Sequence, residues 1–163
     1  MPNQHTQRKH SDKAFHIQAW HSHPQQQRML AFLSSCDWRA AGFLRALLAE
    51  NRFEDVLGPE GHLYFLMAGG EPVGFVTLTQ RDCIADESLF PWLGFLYTVP
   101  QWRGQGCAGM LLRHALAEAD RQGYRQVYLA TDHVGLYERH GFTYVESRPD
   151  VWGEMSRIYT IRL

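Results

Sequence analysis

The sequence predicts an α/β fold of the α+β kind, a mixed sheet with helices on both faces. Three observations predict it. Short aromatic and β-branched runs at residues 63–68 and 73–79 flank Gly69-Gly70-Glu71-Pro72 and read as a hairpin. An almost unbroken apolar run at residues 92–99 gives way, through a glycine-rich turn, to three-or-four spacing of apolar residues from Ala108 onward. The chain then returns to a strand, a short helix and closing strand-like runs, an order that layers helices against a sheet.

Residues 1–13 are polar and offer no face to bury, so a mobile terminus is expected there and a single domain over 14–163. Phe15, Ile17 and Ala19 alternate with His16 and Gln18, a short first strand ending near Pro24. Met29, Leu30, Phe32 and Leu33 mark an amphipathic helix over Gln26–Ser35. Ala41, Leu44, Leu47 and Leu48 mark another over residues 38–51, with Trp38 and Phe43 on it. Asp37 is suited to cap that second helix, its carboxylate accepting free N–H groups of the first turn. In the hairpin, Gly74 signals a bulge or a close approach of backbone.

A polar loop with Asp82, Asp86 and Glu87 follows at residues 81–91. The run at 92–99 then reads as a strand buried on both faces, which Pro100 cannot extend. In the long helix Leu111, Leu112, Ala115 and Ala119 share one side and Arg113, His114, Glu118 and Arg121 the other, until Gly123 ends it. Val127, Tyr128 and Leu129 predict a buried strand over 126–130. A short helix over 134–140 is expected to stop at Gly141 in a left-handed conformation. Residues 142–146 and 157–163 make the last strands.

With 163 residues, 45% of them hydrophobic and 20% charged, the chain can bury a substantial core without disulfides. A formal net charge of -1 leaves no basic excess to neutralise phosphates, which argues against a general nucleic-acid binder. No stretch approaches the roughly 20 apolar residues of a membrane helix, so no membrane partner is expected. Cys36, Cys83 and Cys107 are widely spaced and form no Cys-x-x-Cys pair, as expected for reduced thiols in a cytoplasmic protein. His5, His10, His16, His21 and His23 follow no ligand spacing and lack a carboxylate set, so no metal site is expected.

Function concentrates in Val99-Pro100-Gln101-Trp102-Arg103-Gly104-Gln105-Gly106-Cys107-Ala108-Gly109. A strand, a turn with three glycines and a helix place unpaired backbone N–H groups at the positive end of a helix dipole, where an anion can sit. Glycine there admits ligand oxygens to the amides and permits positive φ. A nucleotide-binding loop would need Gly-x-x-x-x-Gly-Lys-Ser/Thr or Gly-x-Gly-x-x-Gly at such a junction, and neither is present.

Arg103-Gly-Gln-Gly106-Cys-Ala108 resembles the Arg/Gln-x-x-Gly-x-Gly/Ala signature of the GNAT superfamily of N-acetyltransferases. Gly135-Leu-Tyr-Glu-Arg-His-Gly141-Phe142 resembles the second signature of that superfamily, and the two stand in the expected order. The resemblance covers residues 63–163. It implies a GNAT-like, mostly antiparallel sheet whose central strand and the next one splay apart to admit the pantetheine arm of acetyl-CoA. The implied cofactor-binding residues are Leu96, Tyr97 and Thr98 through their backbone, and Arg103, Gly104, Gln105, Gly106, Cys107, Ala108 and Gly109 around the pyrophosphate.

The reaction so implied is direct acetyl transfer from acetyl-CoA to a primary amine, a small-molecule acceptor being expected. An alkylammonium near pKa 10.4 must first lose a proton. The tetrahedral oxyanion needs a donor, for which a backbone N–H near Tyr97 or Thr98 is suited. Tyr137 matches the superfamily tyrosine beside the CoA sulfur and would act as general acid or thiolate stabiliser. Many relatives carry a glutamate on the central strand or its neighbour, but these strands contain no carboxylate here. The second signature also departs from its commoner form, placing Asp132 and His133 where an asparagine is usual. His133 can accept a proton near neutrality; Asp132, Asp86, Glu87 or Glu154 could act through water. The missing strand carboxylate favours an alternative, a non-catalytic acyl-CoA-binding module. Dimers are common in the superfamily, so a homodimer accords with the resemblance.

Overall fold

Periodicity explains how the elements share one sheet. The computed structural model describes residues 13–163; the expected mobile terminus lies, except for Lys13, outside them. Strands β1 (Phe15–Ala19), β2 (His62–Ala68), β3 (Glu71–Thr79), β4 (Trp92–Thr98), β5 (Gln126–Thr131), β6 (Thr143–Pro149) and β7 (Met155–Arg162) form a seven-stranded sheet in the order β1-β2-β3-β4-β5-β7-β6. Neighbours pair antiparallel except for the parallel β4 and β5. The helices are α1 (Gln26–Ser35), α2 (Arg39–Ala49), α3 (Phe53–Leu57) and α4 (Cys107–Arg121).

Strand alternation sorts the core into two layers. Leu63, Phe65 and Met67 of β2 pack with Met29 and Leu33 of α1 and with Ala41, Leu44, Leu47 and Leu48 of α2. Tyr64, Leu66 and Ala68 face the other way and pack with Leu111, Leu112, Ala115 and Ala119 of α4. Each helix contributes one apolar stripe, and removing those stripes from water is the main force joining helix to sheet.

Several expectations are corrected. α2 begins after an extended Trp38 and has no side-chain cap, because Asp37 lies one residue too early and faces solvent. α3 had no sequence counterpart. Residues 134–140 do not form a continuous helix: only a single 3-10 turn, Glu138–His140, precedes the left-handed Gly141. A 3-10 turn at Pro100–Trp102 separates β4 from the glycine turn. The central strand is not buried throughout, since Gly94, Phe95 and Leu96 are half-buried.

That exposure has a local cause. Phe75 pairs with Tyr97 and Thr77 with Gly94, so Phe95 and Leu96 together oppose Val76 alone, a β-bulge. Phe95 takes the left-handed φ of 49°. β4 and β5 pair only at Trp92 with Tyr128 and Leu93 with Leu129, then separate. Gly74 is the close approach its position suggested: an added Cβ would lie 2.6 Å from the Tyr97 carbonyl oxygen. Gly74→Ala should therefore destabilise the fold by about 2–3 kcal/mol through overpacking, seen as a lower urea midpoint with an unchanged slope.

Candidate functional site

The glycine turn sits where β4 hands over to α4. Gly106 is the α4 N-cap at φ 81°, and Gly104 has φ 76°. An added Cβ at either would meet nothing within 4 Å, so the space over the turn is open to a ligand. The first N–H groups of α4 have no partner within the helix, and its first turn carries no acidic residue to compete for them. Cys107 is buried with its thiol 3.6 Å from the Trp102 carbonyl oxygen, so its backbone rather than its side chain faces the turn.

Basic groups gather here, although not all as the sequence suggested. Arg103 folds back: its Nε donates to the Thr98 carbonyl oxygen at 3.0 Å, and its guanidinium lies 5.5 Å from the centre of the Tyr97 ring. Arg113 and His140 cover the first turn instead, since a methyl on Gly109 would stand 3.2 Å from Arg113 Nη1 and 3.6 Å from His140 Cε1. Arg113 was legible as the residue one helical turn beyond Gly109. His140 was not, because only the turn ending at Gly141 brings it across.

Behind the turn the two central strands part. The Val99 N–H donates to the Val73 carbonyl oxygen at 2.9 Å. Strand alternation then turns the Tyr97 amide toward β3 and the Thr98 amide into the gap. Tyr97's side chain is buried against α2, stacked on Trp38 with centroids 5.5 Å apart and on Phe75 at 5.4 Å. Phe43 stacks on Phe95 at 6.4 Å and meets Trp152 edge-on at 6.3 Å, forming an exposed aromatic wall beside the bulge. Trp38 and Phe43 come from the N-cap and body of α2, and Trp152 from the β6–β7 turn.

Tyr137 packs on the α4 side of the sheet, its ring 6.0 Å from that of Phe142 and 6.4 Å from that of Tyr159. Its carbonyl accepts the His140 and Phe142 N–H groups at 3.0 and 3.2 Å, so the turn at Gly141 fixes its position. Burial, with the charges of Asp132 and Asp82, pushes its phenol up to about 12. At neutral pH Tyr137 is a hydrogen-bond donor.

The sequence candidates for proton acceptor are exposed or already paired. Asp132 and His133 are 3.9 Å from each other with side chains 90% and 68% exposed. Asp86 is held well below the usual carboxylate range by Ser88 and by Arg148, whose Nη1 lies 2.6 Å from its Oδ2. Glu87 pairs with Arg81 at 3.7 Å, and Glu154 is exposed.

Asp82 is different. Its Oδ1 accepts the Cys83 N–H at 2.7 Å, while its Oδ2 is shut from solvent and has no hydrogen-bond partner; the buried Thr77 Oγ1 is likewise unpartnered. Both oxygens crowd Gly94, where an added Cβ would stand 2.2 Å from Asp82 Oδ2 and 3.0 Å from Thr77 Oγ1. The sequence left Asp82 as one member of a polar loop, because nothing in the spacing foretells its contact with β4.

A cleft of about 570 Å³ lined by Trp20, Leu30, Leu48 and Phe53 lies elsewhere, and none of residues 94–109 lines it. Among the described residues no group of three or more His, Cys, Asp or Glu is placed to hold a metal ion; His5 and His10 lie outside them. Among the described residues no helix is long and apolar enough to cross a membrane.

The sheet thus opens between β4 and β5 beside the N-terminus of α4. The family model for the acetyltransferase (GNAT) family matches residues 13–142, and the chain belongs to that family. No curated protein sequence matches the chain. Solved structures agree in fold. An aminoglycoside 6'-N-acetyltransferase complexed with coenzyme A is 17% identical, with a TM-score of 0.67 over 90% of this chain and 96% of that one. An acetyltransferase from Streptococcus agalactiae is 18% identical, with a TM-score of 0.64 over 91% and 98%. A GNAT family acetyltransferase from Elizabethkingia anophelis with acetyl-CoA bound is 15% identical, with a TM-score of 0.61 over 94% and 99%.

Burial pushes the Asp82 carboxyl up to about 6, with the Cys83 N–H pulling the other way. A raised folded value means that folding favours the protonated acid. Its contribution to stability is full below the ordinary carboxyl value near 4 and is lost as pH rises through 6, an effect of about 3 kcal/mol. Urea unfolding at pH 4, 5.5 and 7 should show Asp82→Asn gaining on the wild type by about that amount as pH rises. A difference that does not change with pH would place this carboxyl in water.

Proposed function

We propose that the protein is an N-acetyltransferase that moves the acetyl group of acetyl-CoA directly onto the primary amine of a small molecule. The observation that carries this reading is the fork between β4 and β5, which opens directly behind the glycine turn and has Tyr137 packed at one side. Membership of the family supports the acetyl group. Neighbours named for bound coenzyme A and acetyl-CoA support the carrier, and one named as an aminoglycoside N-acetyltransferase supports an amine acceptor. The described cysteines are free thiols, in accord with a cytoplasmic site of action.

In this reading the backbone amides of Gly104, Gln105, Gly106, Cys107, Ala108 and Gly109 hold the pyrophosphate, with Arg113 adding positive charge above Gly109 and the His140 ring standing beside it. Backbone groups of Leu96 and Thr98 hold the pantetheine as an added strand, the Thr98 N–H being turned toward the gap, whereas the Tyr97 backbone, expected to take part, faces β3. Arg103 acts by anchoring Thr98 rather than by reaching for phosphate. The aromatic wall of Phe43, Phe95 and Trp152 borders the acceptor.

Tyr137 donates a hydrogen bond to the departing thiolate. A phenol near 12 is a much weaker acid than a thiol near 8.5, so complete proton transfer would be uphill by about 5 kcal/mol. His133, the proton acceptor the sequence offered, is 68% exposed beside Asp132 and takes no part in the transfer in this reading. A second reading, a non-catalytic acyl-CoA-binding module, is favoured by the absence of carboxylates from β4 and β5.

Coenzyme A release from acetyl-CoA in the presence of spermidine, kanamycin, phenethylamine and short peptides separates the two readings; binding without release from any amine favours the module. Gly106→Asp puts a carboxylate at the anion site and a side chain at positive φ, and should weaken acetyl-CoA at least roughly tenfold by calorimetry. Tyr137→Phe should lower kcat roughly tenfold or more at unchanged acetyl-CoA affinity, and unchanged kcat would remove its role.

A further inference from the structure

A buried carboxylate oxygen without a partner is expensive to keep. Asp82 Oδ2 is such an atom, and Thr77 Oγ1 beside it is another. Neither belongs to the apolar clusters, yet both are pressed against the backbone of β4 at Gly94. Gly94 is the first residue past the last β4–β5 pair, Leu93 with Leu129, and the last before the bulge at Phe95. The unpaired oxygen therefore lies at the root of the fork rather than at an arbitrary point of the core.

Its side of the sheet matters as well. Leu93 packs with the α4 layer, so Gly94 and Phe95 belong to the face of α2, where the aromatic wall stands. Tyr137 packs on the α4 face. A planar thioester in the fork would have the tyrosine toward one of its faces and the aspartate toward the other.

Resting on the N-acetyltransferase reading, we propose that Asp82 is the general base of the reaction, taking a proton from the acceptor's ammonium group at the root of the β4–β5 fork. The ammonium N–H bond breaks and its proton passes to Oδ2, leaving the nitrogen lone pair to form the C–N bond at the thioester carbonyl. Collapse breaks the C–S bond. The second nitrogen proton passes to the departing sulfur, which Tyr137 stabilises, and Asp82 returns its own proton to water. Acetyl-CoA and an alkylammonium thus give an amide, coenzyme A and one proton.

The surroundings suit that work. Burial holds the carboxyl near 6, so it is ionised yet basic at neutral pH. The titratable groups acting around it are Cys83 on the same loop, whose thiol is raised further by Asp82 and by Asp150, and Tyr137 across the gap. Arg81, next in sequence, turns away to the Asp55 carbonyl oxygen at 3.4 Å and to Glu87, so it does not neutralise Asp82. The loop is held in place: Val151 N–H donates to the Cys83 carbonyl oxygen at 2.8 Å, and Arg148 grips Asp86.

The test is the pH profile of kcat/KM for the fastest amine of the panel above, in wild type, Asp82→Asn, Gly94→Ala and His133→Ala. The wild type should show a limb near pH 6 that Asp82→Asn abolishes, with kcat/KM at pH 7.5 lowered roughly 10²-fold and acetyl-CoA affinity by calorimetry unchanged. Asparagine keeps the bond from the Cys83 N–H, and Gly94→Ala, which displaces the carboxylate without removing it, should also lower the rate and move the limb. His133→Ala should keep it. A limb that survives in Asp82→Asn, or that vanishes in His133→Ala, overturns the proposal. Wild type that binds acetyl-CoA but turns over no amine fails at the acetyltransferase reading itself, and the proposal falls with it.

Discussion

The structure depends on the parting of β4 from β5. A parallel pair that stayed zipped would spend its backbone groups on itself and leave nothing for an extended ligand. One extra residue prevents that. Phe95 and Leu96 share a single partner across the ladder, the strand bends, and pairing with β5 ends at Leu93. The left-handed φ of Phe95 costs about 1 kcal/mol or more in an aromatic residue. Stacking against Phe43, together with the edge contact to Trp38, offsets part of that cost.

Features that look independent follow from this bend. Gly94 must lack a side chain because the loop after β3 brings Asp82 onto it. Gly74 must lack one because β3 lies close against the Tyr97 carbonyl. The turn at Gly141 places Tyr137 on one layer while Asp82 stays in the other, so the two sides of the gap differ chemically. Ties between loops preserve the difference: Arg148 bridges Asp86 and Glu146, and the β6–β7 turn bonds to Cys83.

Much of the scaffold could be read directly because its signals are local. The hairpin strands, the apolar stripes of α1, α2 and α4, and the glycine turn each depend on spacing within a few residues. Asp37 misled because capping is decided by the backbone angles of a single residue, and the extended one is Trp38. The run 134–140 carries helix-compatible residues but is too short to hold a helix without a buried stripe, so only its last turn closes. α3, with Phe53 and Leu57 one turn apart, is too brief for periodicity to announce.

By itself the sequence determined the order of the strands, the helices α1, α2 and α4, and the glycine turn between β4 and α4, since chain neighbours and periodic faces decide these. Only the tertiary structure decided that Arg103 folds onto Thr98, that Arg113 and His140 stand above Gly109, and that Asp82 meets Gly94. The physical reason is one of range. A periodic stripe is written every three or four residues, whereas the neighbours of a buried carboxylate are set by how far a bulged strand bends, a sum over contacts that no single stretch of chain contains.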